Sequence, residues 1–217
     1  MGYVLSRSAT GEVLFGVRLS IFGSKFAAES SVSHGHRGVM HTDNNGQPII
    51  PEPDGDDERE LFTFVGFVSF LAHGLEAEVT NLAVGLRAIA GTGLSPQEYE
   101  DLFVQHERRT LGSIFVAVRA HITLPIETEY AVSEAIEARN RLVHHFFRIH
   151  AENFMSAAGR REMIVQLRTM ARVILTADAL CSDLTDQLWA SLGISELARE
   201  QMVADMAQRA LDRDTFL

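Results

Sequence analysis

Cysteine is almost missing from this chain: Cys181 is the only one in 217 residues. No intrachain disulfide and no thiolate-built zinc site can form, since each needs at least two. A reducing compartment suits such a chain without being demanded by it. Lysine is as scarce, with Lys25 alone among 19 basic residues; we read that as coding bias rather than function. Net positive charge is absent too. A formal charge of −10 argues against a general nucleic-acid coat or a membrane-surface protein. Long hydrophobic runs are also missing. Leu61 to Ala72 is strongly apolar but only about a dozen residues long, where a bilayer crossing takes about 20. His73, Glu76 and Glu78 follow it at once, so it reads as a buried core helix. Met1 to Ala28 has no basic start followed by a clean apolar stretch, so no secretory signal is read there. The expectation is a cytoplasmic protein with no membrane partner.

What the chain does have is an ordinary apolar fraction, 46%, enough for a sizeable core. Its length suggests one domain with a tail, or two small ones. Residues 1 to 56 differ from the rest. Glu12 to Phe22 alternates loosely, in the manner of a strand or two. Ser30 to Gly46 is rich in Ser, His, Gly and Asn, and three prolines lie between Pro48 and Asp57. We read this segment as an irregular arm and linker. His34, His36 and His41 fit a flexible polar loop better than a metal site, since no acids or Cys stand at helical spacing around them.

From Asp57 onward the pattern is helical, and residues 57 to 217 are expected to form an all-α bundle of about five helices. Asp56-Asp57-Glu58 places negative charge at a helix start, where the macrodipole favours it. The first helix runs to about Ala90. Ser95-Pro96-Gln97-Glu98 opens the second, which reaches roughly Arg109, with Leu111 to His121 as an extension. The third spans about Glu127 to Phe154. Ser156 caps the fourth, from Ala157 to about Leu192, with Gly193 as its stop. Ser195 opens a last helix to about Asp212.

The third helix carries the chemistry. At about 100° per residue, Val132, Ala135, Ile136, Leu142, Val143, Phe146, Phe147 and Ile149 form one apolar arc. Arg139 falls near its middle, with His150 on the same line. Asn140 and His144 lie a turn apart at one edge, His145 at the other. Glu137 is placed to pair with Arg141 at the favoured i,i+4 spacing, with Arg148 on the same polar side. A guanidinium on an apolar face costs several kcal/mol unless compensated. Either a buried carboxylate such as Glu76, Glu78 or Glu100 meets it, or a polar cleft that a ligand visits. The neighbourhood is basic: between Arg139 and Arg172 there are seven arginines and two acids, Glu152 and Glu162.

Arg139-Asn140-x3-His144 on a helix resembles the Arg-x(4–6)-His motif of HEPN domains, many of which carry an Asn after the Arg. The likeness covers roughly Asp57 to Leu192. It implies an up-down helical bundle and a homodimer whose two motif copies build one composite site. It further implies a metal-independent, cofactor-free endoribonuclease of bacterial type, a toxin or a phage-defence effector, with RNA as substrate and an antitoxin protein as a candidate partner. Cleavage by attack of the 2′-OH needs a proton acceptor near neutrality, a proton donor for the leaving 5′-oxygen, and positive charge on the phosphorane-like transition state. Imidazole, with an unperturbed pKa of about 6.5, suits both proton roles. Guanidinium offers a planar fork to phosphate oxygens. On this resemblance the catalytic candidates are Arg139, Asn140 and His144, with His145 as the alternative imidazole; Asn140 would orient His144, and Arg141 and Arg148 would hold flanking phosphates. One departure stands out. Some HEPN toxins carry a Tyr two residues after the His, modified by the antitoxin; Phe146 stands there and has no hydroxyl. A metal reading would gather His144, His145, His150 and Glu152, with His106 or His121. Adjacent helical histidines diverge by about 100° and serve one ion badly. The non-enzymatic alternative is a HEPN-like helical dimerisation or binding module.

Overall fold

The computed structural model describes residues 57–90, 96–107 and 109–191, with isolated positions at 50, 53, 193, 195, 197, 201, 204 and 208. The expected arm over 1–56, apart from Ile50 and Pro53, lies outside the described residues. So does most of the expected last helix. Among the described residues there are seven helices and no strand, an all-α fold. They are α1 (Glu58–Ala90), α2 (Pro96–Glu107), α3 (Leu111–Arg119), α4 (Ile126–His144), α5 (Phe146–Ile149), α6 (Ala151–Phe154) and α7 (Ala157–Ser191).

The ends follow local chemistry. Asp57 caps α1, its Oδ1 accepting from the Glu60 amide at 2.8 Å. Thr110 caps α3, accepting from Ser113 N at 3.3 Å, so Leu111 to Arg119 is a separate helix and not an extension of α2. Ser156 Oγ accepts from Gly159 N at 3.0 Å and starts α7. Gly193 follows α7 with φ of 76°, the left-handed conformation that glycine adopts without a Cβ penalty. One expectation failed. The single helix over 127–154 is three pieces, because His145 (φ −132°, ψ −20°) and His150 (φ −102°, ψ 19°) leave helical geometry. Aromatic packing surrounds both breaks: Phe146 is 1% exposed with its ring 4.9 Å from that of His150, and Phe147 meets Phe62 at 5.5 Å. Tertiary contacts here override a continuous 3.6-residue repeat.

The described residues divide into two compact units, one within 22–78 and 123–182, the other within 79–122 and 183–217. In the first, the 58–78 part of α1 buries Leu61, Phe64, Val68, Leu71 and Leu75 at steps of three and four, the apolar stripe of an amphipathic helix. α4 adds Val132, Ala135 and Leu142; α7 adds Met163, Leu167, Met170, Ile174 and Ala177. Each such side chain contributes roughly 1.5–3 kcal/mol when fully buried. In the second unit Val79, Leu82, Val84, Ile114, Phe115, Val118, Leu188 and Trp189 are buried. Gly85 lets Leu188 approach so closely that a Cβ there would lie 2.5 Å from Leu188 Cδ2. By length and composition Glu58–Arg87 is also apolar enough to cross a membrane, more than the dozen residues expected, and 44% of its most apolar window is buried inside this protein.

Two carboxylates interrupt the core of the first unit. Glu78 is 4% exposed. Asp178 on α7 has a buried Oδ1 with no hydrogen-bond partner. Burial, and then the charge of Glu78, push its carboxyl up to about 7. Burial first, then Glu78 and Asp178, also push the Cys181 thiol upward, which leaves it an inert core side chain.

Two predictions follow from this packing. A Cβ at Gly159 would strike the backbone of Asn153, which cannot swing away as a side-chain end can. Gly159→Ala should therefore lower the free energy of unfolding by about 1–3 kcal/mol, read from denaturant midpoints at unchanged m-value. The folded Asp178 carboxyl binds its proton more tightly than the unfolded one. Its contribution to stability is therefore greatest at low pH and is lost as pH rises from about 4 through about 7. Asp178→Asn should gain stability relative to the wild type across that window, by up to about 4 kcal/mol, and no further above it. A difference between the two proteins that is flat with pH would refute this.

Candidate functional site

α4 begins with Glu127 and Glu129 and ends with Arg141 and His144, charges matched to the helix dipole at each end. Arg139 stands five residues before its end. Its guanidinium turns toward α1, where Nη2 lies 3.6 Å from Glu76 Oε2; the two side chains are 21% and 27% exposed. Of the carboxylates expected to compensate it, Glu76 does so, and the Glu100 side chain lies outside what the structure describes. The pair is neither sealed nor fully solvated. Nη1 donates to Asn140 Oδ1 at 3.4 Å. Asn140 is thus engaged with Arg139, and the expected bond from Asn140 to His144 is not formed among the described residues.

The two imidazoles differ in their surroundings. Both are exposed, with ring centroids 6.1 Å apart. Arg148 Nη2 donates to His145 Nδ1 at 3.1 Å, which leaves the His145 proton on Nε2. His145 also occupies the residue where α4 stops and α5 begins. His144 makes no hydrogen bond among the described residues. It completes the last turn of α4, five residues from Arg139. On an α-helix that separation is about 7.5 Å along the axis and about 140° around it. Within one chain the guanidinium and this imidazole therefore point to different sides of α4.

Arg141 and Arg148 are exposed. Arg141 and Glu137 form no ion pair among the described residues, so the expected i,i+4 bridge is not made. His150 is 7% exposed; Asn153 Nδ2 is 3.4 Å from its Nδ1, and it serves the core. Among the described residues no three of His, Cys, Asp and Glu gather as metal ligands do. The rim of α4 and α5 is apolar as well as basic. Val143, Phe147 and Ile149, placed on the arc expected to be buried, are exposed, as is Phe62. Phe62, Phe147 and Phe154 form a cluster with ring centroids 5.5 to 6.3 Å apart. No family model, curated protein or solved structure matches this chain.

Sequence reasoning missed the Phe62 and Phe154 contribution. The signal was the density of phenylalanine after His145, which did not say which partner ring would come from α1. The Arg139–Glu76 pair is open to water, so its coupling should be modest. A double-mutant cycle of Glu76→Ala and Arg139→Ala should give a coupling of about 0.2–1 kcal/mol in denaturant unfolding, falling as salt is raised. A coupling above about 3 kcal/mol would mean a far drier pair than the one described.

Proposed function

We propose that this protein is a metal-independent endoribonuclease of HEPN type, a homodimer in which Arg139 and His144 of two copies meet around one RNA phosphodiester. The observation that carries the reading is the state of the two groups: a guanidinium held in place by Glu76, and an exposed imidazole with no hydrogen bond at the end of the same helix. The divergence of the two around α4 fits a site completed by a second copy better than a site within one chain. The exposed apolar residues beside the motif, Val143, Phe147 and Ile149, suit the contact that such a dimer needs.

In the proposed reaction an imidazole takes the 2′-OH proton as the 2′-oxygen attacks phosphorus. The P–O5′ bond breaks, and an imidazole returns a proton to the 5′-oxygen. The products are a 2′,3′-cyclic phosphate and a 5′-hydroxyl. Arg139 stabilises the charge that builds on the phosphorane oxygens, and Arg141 and Arg148 hold neighbouring phosphates. Asn140 acts on Arg139 in this scheme, by the contact described, rather than on His144. His145 is held by Arg148, so His144 is the imidazole assigned the proton transfers. By this reading the chain works as a toxin or defence effector in a bacterial cytoplasm, with an antitoxin as its protein partner. Control through a hydroxyl at position 146 is not available to Phe146.

One observation favours a second reading. A guanidinium already paired with Glu76 is what a non-catalytic helical dimerisation or binding module would keep for packing. The test is incubation of the full chain with RNA in EDTA, wild type against Arg139→Ala, His144→Ala and His145→Ala. The enzyme reading expects 2′,3′-cyclic phosphate ends. It expects a loss of about 10²–10⁴-fold for His144→Ala, a loss of at least 10²-fold for Arg139→Ala, and a smaller one for His145→Ala. Equal rates in all four proteins would remove the catalytic claim and leave the module.

A further inference from the structure

The second compact unit holds a small cavity that plays no part in the proposed cleavage. Its volume is about 170 Å³, far above the ~10–15 Å³ that admits one water and below the ~300 Å³ where sites for drug-sized ligands begin. The polar groups on its wall are Arg87 from the last turn of α1, Gln105 and His106 from the last turn of α2, Arg109 between α2 and α3, and His121 just after α3. Apolar side chains complete the lining, and among the described residues no carboxylate belongs to it.

Basic residues in the last turns of helices are ordinarily accounted for by the macrodipole. That account does not require them to converge on a cavity, and it does not explain His106. The His106 residue is 6% exposed, and its Nδ1 is buried with no hydrogen-bond partner among the described residues. A buried ring nitrogen left unpaired costs about 1–3 kcal/mol, and such groups mark the position of something that pairs with them. Neither Arg87 nor Arg109 has an ion-pair partner among the described residues. Two guanidiniums lining a space with no counter-charge among the described residues disfavour a metal cation by repulsion. With the two imidazoles they are the donor set that an oxyanion takes, since both side-chain types offer N–H groups and no negative charge.

We propose that this cavity is a binding site for a tetrahedral oxyanion of the phosphate type, held by Arg87 and Arg109 with His106 donating from Nδ1 at its base. Size restricts the buried part of the ligand to the phosphate group. Free phosphate and the terminal phosphate of a nucleotide share that chemistry. Burial first, then Arg109, then Arg87, push the His106 imidazole below its usual range, toward its neutral form. Arg87 from α1, Arg109 ahead of α3 and His121 after α3 are the charged and titratable groups on the cavity wall around it. A bound dianion reverses the field they impose and favours the imidazolium, so binding draws in a proton.

The experiment is calorimetric titration of the full chain with inorganic phosphate, in two buffers of different ionisation enthalpy, repeated with a nucleoside 5′-monophosphate and with a short RNA lacking terminal phosphates. We expect saturable phosphate binding with proton uptake, weakened at least tenfold in Arg87→Gln and in Arg109→Gln, the scale of one charge-assisted hydrogen bond. Arg119→Gln, outside the cavity, should bind as the wild type does. Tighter binding of the nucleotide than of phosphate would assign the nucleotide as the source, and the reverse would assign the free ion. Arg139→Ala and His144→Ala should keep this binding intact, so that failure of the cleavage reading and failure of this one are separable. Absence of saturation at tens of millimolar phosphate overturns the proposal. So does equal affinity in the wild type and both cavity variants, or binding of the unphosphorylated RNA alone.

Discussion

A helix that carries carboxylates into its packed surface constrains what can stand against it, and α1 does so twice within one turn, with Glu76 half-buried and Glu78 buried. Glu76 is met by a guanidinium from α4, and Glu78 lies near a carboxyl from α7. The first meeting lowers the electrostatic cost of both groups. The second raises it, and the cost is met by keeping a proton on Asp178. Two neighbouring positions on one helix thus have opposite electrostatic outcomes, decided by which helix each one faces. The first pair turns the Arg139 guanidinium toward α1 and away from the exposed rim of α4.

The end of α4 is where that rim is made. The chain leaves helical geometry at His145 and again at His150, and the aromatic side chains between and after these points pack with one another and with Phe62. A continuous helix would have carried His145 and Arg148 onward along one spiral. The break instead makes His145 a junction residue hydrogen-bonded by Arg148, and leaves His144 without such a bond on the last turn. The distinction between two adjacent histidines, on which the proposed chemistry turns, comes from an irregularity of the backbone rather than from either residue's identity. The cavity ringed by Arg87, His106 and Arg109 has the same character. Its residues come from the end of α1, the end of α2 and the turn before α3, and acquire meaning as a group only when these segments meet.

Much of this protein was written in its residues. The helix starts at Asp57 and Ser156 and the turn at Gly193 follow from side-chain and backbone chemistry within a few residues, so they were legible in the chain itself, whereas the Thr110 cap that separates α3 from α2 was not. The apolar spacing of α1 and α7 determined their buried faces, because a 3.6-residue period can cover only one stripe. The charge conflict at Arg139 was visible too. Tertiary structure alone decided that Glu76 and not Glu78 would meet Arg139, that Asn140 would turn to Arg139 and not to His144, that α4 would stop at His145, and that Val143, Phe147 and Ile149 would stay exposed. Each of these depends on which partner from a distant segment stands opposite. Local periodicity can assign a residue to a face, but the free energy of that face is set by what is brought against it.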